Sequence, residues 1–110
     1  MLFFIERDDL GYYEDINKVN TIINADDDET VYEFLIRIKG FLPKINDGLW
    51  EIMSGSELVG FITSGDEFGG RQEDRQEVFL EVDDVKLCEA GLEKKLRCSH
   101  SYINDHHFIL

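Results

Sequence analysis

Apolar residues fall in short, separated runs, and the spacing within the runs changes along the chain. Leu2-Phe3-Phe4-Ile5 is continuous, the pattern of a strand buried on both faces. Arg7-Asp8-Asp9-Leu10-Gly11 then reads as a turn. Between Tyr12 and Asn24 two periods compete. Ile16, Val19 and Ile22/Ile23 fit a helical stripe, whereas Val19, Thr21 and Ile23 alternate as a strand does. The β-branched residues and asparagines tip the balance toward a strand near 19–23.

The helical period becomes clear after that. Val31, Phe34/Leu35, Ile38 and Phe41/Leu42 lie on one face of a helix predicted over residues 28–42. Asp26 is the expected cap, with Glu29 reaching back to it in a capping box and the acids set against the positive end of the dipole. Glu33 and Arg37 have the i, i+4 spacing of an ion pair, and Gly40 and Pro43 end the helix.

Asn46-Asp47-Gly48 marks a turn. Leu49–Met53 and Leu58–Thr63 then flank Ser54-Gly55-Ser56-Glu57, predicting a hairpin with a four-residue loop. A polar stretch from Ser64 to Gln76 precedes a strand at Val78–Val82, in which Val78, Leu80 and Val82 share a face. Short strands are also expected at Val85–Cys88, Leu96–His100 and His107–Leu110. The pattern predicts an α+β fold: one domain over residues 1–110, with an antiparallel sheet of about four to six strands packed on one main helix.

Charge changes the picture more than any motif. Twenty-four Asp and Glu face 11 Lys and Arg, a formal net of −13 in 110 residues. The acids do not form a tail, because 12 lie in residues 1–55 and 12 in residues 56–110. With 43% hydrophobic and 12% aromatic residues there is material for a core, so the carboxylates must decorate a folded unit. Phosphate backbones and anionic membranes are repelled by such a surface, and a basic protein is attracted. Two cysteines, no leader-like start and no run of ~20 apolar residues point to a cytoplasmic protein with free thiols.

Site chemistry is sparse. Asp26-Asp27-Asp28-Glu29 suggests a calcium loop, but the sixth and twelfth positions hold Val31 and Arg37 where Gly and Glu are needed. Cys88, Cys98, His100, His106 and His107 have no standard zinc spacing. Cys98 and His100 would share a strand face, and as a nucleophile and base they would still need a third group to orient the histidine. Gly65-Asp66-Glu67-Phe68-Gly69-Gly70 lacks the lysine of a phosphate cradle, and its acids repel phosphate. Lys94, Lys95 and Arg97 are too few for a nucleic-acid footprint and are expected to neutralise acids such as Glu89 and Glu93. Trp50, Phe61, Phe34 and Phe41 read as core. No catalytic residue, metal site or cofactor is assigned.

From Asp66 to Asp84 eight acids meet only Arg71 and Arg75. The expected partner-binding surface is Asp66, Glu67, Phe68, Glu73, Asp74, Glu77, Glu81, Asp83 and Asp84, with Phe68 as an apolar anchor. In character, though in no shared motif, the chain resembles bacterial immunity proteins. The acidic surface leads us to expect an antitoxin that covers the active or nucleic-acid-binding site of a basic toxin domain, in the first place a co-encoded nuclease, without catalysis of its own. A nucleic-acid mimic directed at another DNA- or RNA-binding protein is the alternative, and a small metal-binding domain the third reading.

Overall fold

A computed structural model describes residues 1–8, 19–43, 48–63 and 77–102. It holds six strands and two short helices: β1 (Leu2–Arg7), β2 (Asn20–Asn24), α1 (Val31–Lys39), β3 (Gly48–Ser54), β4 (Glu57–Thr63), β5 (Glu77–Leu80), α2 (Leu87–Ala90) and β6 (Lys95–Tyr102). The strands form one sheet in the order β2-β1-β6-β3-β4-β5. The sheet is mixed rather than antiparallel. β1 and β6 run parallel, Ile5 beside Leu96, and the other neighbouring pairs are antiparallel. Periodicity within strands cannot reveal this, because β1 and β6 are distant in sequence and their relative direction depends on the path between them.

Alternation sorts the sheet into two faces. Phe3, Ile5, Trp50, Ile52, Ile62, Leu96 and Cys98 join Val31, Phe34, Leu35 and Ile38 of α1 in the buried cluster. Phe3 and Phe34 bring their ring centroids to 4.7 Å. Trp50 is fully buried and its indole Nε1 donates to Pro43 O at 2.8 Å, so its one polar atom is satisfied. On the opposite face Leu2 and Phe4 are exposed, so β1 is not buried on both sides as its run of apolar residues suggested. Phe61 likewise leaves the core; it is half-buried on that open face, directly across from Phe79.

Helix α1 is shorter than the predicted span and begins at a different cap. Thr30 is the N-cap, its Oγ1 accepting from Glu33 N at 3.2 Å while Glu33 Oε1 accepts from Thr30 N at 3.0 Å. The helix cap is therefore Thr30 rather than Asp26, although Glu29 does reach back to Asp26 as expected, its Oε1 accepting from Asp26 N at 3.2 Å. Glu33 is occupied by the Thr30 capping box, and Arg37 pairs instead with Glu29, Nη1 to Oε1 2.6 Å. Gly40 caps the other end.

The hairpin forms with a tighter turn than predicted, since β3 and β4 pair through Ser54↔Glu57 and leave only Gly55 and Ser56 between them. Gly55 has φ of 61°, a conformation that favours glycine. The strand near 19–23 appears as β2, and the strand at Leu96–His100 lies within β6. The predicted strand at Val85–Cys88 is instead the approach to α2. Val85 O accepts from Val31 N at 2.9 Å, and Leu87 N donates to Glu29 O at 2.8 Å, so this segment docks on the start of α1 rather than on the sheet. The expected strand at His107–Leu110 lies outside the described residues. Among the described residues no helix is long and apolar enough to cross a membrane.

Candidate functional site: an acidic groove beside the edge of the sheet

The chain leaves β5 by way of Glu81, whose N–H donates to Val59 O at 2.8 Å and extends the β4–β5 ladder by one step. Asp83 O then accepts from Val85 N at 3.0 Å, turning the chain toward α2. Gly91, at φ 73°, ends that helix in the left-handed conformation. These turns, with the start of β4, enclose an open groove of about 470 Å³ lined by Glu57, Glu81, Val82, Asp83, Val85, Glu89 and Ala90. Its walls carry four carboxylates, and two valines and an alanine supply the apolar surface between them.

None of those four carboxylates takes part in a side-chain ion pair or hydrogen bond among the described residues. Most of the described bases are engaged elsewhere, Arg37 with Glu29 and Lys86 with Asp28 among them. Lys95 and Arg97 flank Glu6 at 3.4 and 3.8 Å, and Arg97 also reaches Asp8 at 3.1 Å. Lys94 lies over the Phe3 ring at 5.3 Å. The basic cluster therefore neutralises Glu6 and Asp8 across the parallel β1–β6 pair, not Glu89 and Glu93 as sequence proximity suggested. Glu93 instead donates its backbone N–H to Ser54 Oγ at 2.9 Å.

The expected docking residues divide accordingly. Glu81 and Asp83 line the groove, and Glu77 is exposed at the start of β5. Asp84 is drawn away, its Oδ1 accepting from Tyr32 N at 2.9 Å and so satisfying a free N–H in the first turn of α1. Asp66, Glu67, Phe68, Glu73 and Asp74 lie outside the described residues. Glu57 and Glu89 were missed by sequence reasoning, because the groove unites a hairpin, a strand exit and a helix that lie far apart in sequence. Phe79, 48% exposed on the open face of β5, is a second apolar group that the expected surface did not include.

A polar cluster at the far end of β1 and β6 houses the candidate nucleophile. His100 donates its backbone N–H to Asp8 Oδ2 at 3.1 Å and holds Nδ1 3.2 Å from the same oxygen, while its ring meets Trp50 edge-on at 5.7 Å between centroids. Cys98 faces inward and is fully buried, next to Arg7 in the β1–β6 register. Burial, reinforced by the Asp8 charge, pushes its thiol from the ordinary 9.0 up to about 12, against the smaller opposing pull of Arg7 and Arg97. A thiol so placed stays protonated at neutral pH and is shielded from a substrate, which argues against a Cys98–His100 nucleophile and base. Cys88 is exposed and Cys98 buried, both free. Among the described residues no group of three or more His, Cys, Asp or Glu could hold a metal ion; His106 and His107 lie outside them.

Comparison with protein-family models, with curated proteins and with solved structures finds no match to this chain.

Proposed function

We propose that this chain is an acidic immunity or antitoxin-type protein, acting in the cytoplasm, that binds and neutralises a basic toxin domain, in the first place a nuclease. The observation that carries the reading is the groove of Glu57, Glu81, Asp83 and Glu89, four carboxylates without side-chain partners among the described residues, around Val82, Val85 and Ala90. Leaving like charges together costs stability through mutual repulsion, a cost that a partner's lysines and arginines would offset on binding. The apolar patch between them gives such a partner a desolvated centre of contact, where binding energy concentrates. The remaining acids of the −13 chain act at longer range, steering encounter.

A nucleic-acid mimic calls for carboxylates spaced like phosphates along an elongated face. Four of the described acids gather round a groove with an apolar centre instead, and this favours the toxin-binding reading. The groove also moves the proposed docking surface. Glu57 and Glu89 join Glu81 and Asp83 at its centre, Glu77 lies at the other end of β5, and Asp84 leaves it for a structural role.

The test is association kinetics against the protein encoded beside this one. Reversing Glu57, Glu81, Asp83 and Glu89 to Lys should slow association at least about tenfold at low salt, and the difference should shrink as salt shortens the Debye length below ~8 Å. Unchanged rates would remove the groove from the interface. A neighbour that is neither basic nor bound would overturn the antitoxin reading.

A further inference from the structure

The two edges of the sheet differ in kind. β5 carries Glu77 and runs on into Glu81, Asp83 and Asp84, whereas β2 is Asn20-Thr21-Ile22-Ile23-Asn24, without a charge, a proline or a glycine. This occurs in a chain in which 32% of residues are charged. Edge strands ordinarily avoid pairing with another chain by means of charges, prolines or bulges. β2 has none of these, and its register with β1 is continuous.

Register also determines which backbone groups of β2 are open. Arg7 N donates to Val19 O at 2.8 Å and Ala25 N to Met1 O at 2.7 Å. Hydrogen-bonded pairs alternate along an antiparallel ladder, so Thr21 and Ile23 bond to β1, while Asn20, Ile22 and Asn24 turn N–H and C=O outward. Those three residues are symmetric about Ile22. Their side chains lie on the open face, where Ile22 is 62% exposed, directly across from Phe4 at 39%, with Leu2 beside it at 60%.

We infer that β2 is a self-association edge, pairing antiparallel with β2 of a second copy about a two-fold axis at Ile22. In that register Ile22 exchanges both backbone hydrogen bonds with its symmetry mate, and Asn24 N–H meets the carbonyl of Asn20 in the second copy. The reciprocal acceptor, Asn24 O, already takes a bond from Arg37 Nη2 at 3.1 Å and has a second lone pair to offer. On the open face the two sheets join through a row of side chains in the order Phe4, Ile22, Ile22, Phe4, closing an apolar patch that each copy alone leaves in water.

Charge selects this edge for a second copy. Two chains of −13 repel, and β2 itself adds no charge to that repulsion. Its own residues are neutral, Glu6 on the adjoining strand is flanked by Lys95 and Arg97, and the Met1 ammonium binds Asn24 Oδ1 at 3.3 Å. The acidic groove lies by β5, at the other edge of the sheet. The pairing therefore leaves the groove open, and it does not rest on the proposed function.

Sedimentation equilibrium of the full chain tests the pairing, at low salt and at ~0.5 M salt, where the Debye length is only a few ångströms. A contact of this size should give a dissociation constant between about 1 μM and 1 mM, tightening as salt screens the repulsion. Ile22→Lys and Ile22→Glu, changes at an exposed site, should each be monomeric, and an equimolar mixture of the two should restore the dimer because opposite charges then face across the axis. A wild-type chain that stays monomeric at millimolar concentration and high salt overturns the inference. So does a dimer indifferent to Ile22→Lys. A monomeric wild type whose toxin binding is lost in Ile22→Lys also overturns it, and assigns the edge to that partner.

Discussion

Arg37 reaches back along helix α1 to Glu29, a residue that precedes the helix, and the two close to 2.6 Å between Nη1 and Oε1. Glu29 is only 8% exposed, and the same oxygen accepts from Asp26 N at 3.2 Å. Its backbone carbonyl holds Leu87 N at the start of α2. One acid thus ties together the turn after β2, the helix α1 and the segment that leads from the groove.

A double-mutant cycle should therefore couple Arg37 to Glu29 and not to Glu33. Glu29→Ala is expected to destabilise the fold by about 1–3 kcal/mol, and Arg37→Ala by a similar amount because it leaves a buried carboxylate without its cation. In the Glu29→Ala background the effect of Arg37→Ala should largely vanish, while in a Glu33→Ala background it should persist. Urea midpoints measure all of these, and coupling to Glu33 of equal size would contradict the geometry.

Neighbouring acids at the groove should separate into stability and binding. Asp84→Ala removes the acceptor for Tyr32 N and should cost about 1 kcal/mol, as the loss of a capping group does. Asp83→Ala, at a groove residue whose side chain has no partner among the described residues, should leave the midpoint within about 0.5 kcal/mol or raise it slightly by relieving repulsion. Equal losses at the two positions would show that the division is wrong.

Cys98 predicts both a reactivity and a pH profile. An aromatic disulfide reagent at pH 8 should modify Cys88 in the native protein and reach Cys98 only once denaturant opens the core. The folded pKa, about 12, lies above that of an unfolded thiol near ~8.5–9. The unfolded chain consequently loses its proton first as pH rises. This contribution to stability is whole below pH ~8.5 and drains away toward pH ~12, so Cys98→Ala should flatten that alkaline decline even if it lowers the plateau. A decline of unchanged steepness in the variant would assign it to other groups.

Gly60 predicts how β5 is held. A Cβ there would lie 2.5 Å from Phe79 O and 3.0 Å from a methyl of Leu35, one backbone and one core contact. Gly60→Ala should destabilise by about 1–3 kcal/mol and loosen β5, raising hydrogen exchange at Phe79 and Glu81 before the rest of the sheet. Uniform loosening would instead place the strain throughout the core.

The sequence alone determined the parts that depend on local period and turn chemistry. Val31, Phe34/Leu35 and Ile38 recur every three to four residues, and that face is buried. The alternation in Val78, Leu80 and Val82, the glycine turn of the hairpin and the strand near 19–23 are local in the same sense. Local spacing did not decide between equivalent partners. Spacing put the cap at Asp26 and paired Arg37 with Glu33, where the fold uses Thr30 and Glu29. The choice fell to Thr30 because Thr30 and Val31 are held by Lys86 and Val85. Long-range geometry decided the remainder. The parallel pairing of β1 with β6 sets Lys95 and Arg97 against Glu6, and the docking of residues 84–87 on α1 turns an expected strand into a helix entrance. The groove follows from that docking, because charge along a chain adds up residue by residue, whereas the potential at a surface depends on which carboxylates the fold brings together without their bases.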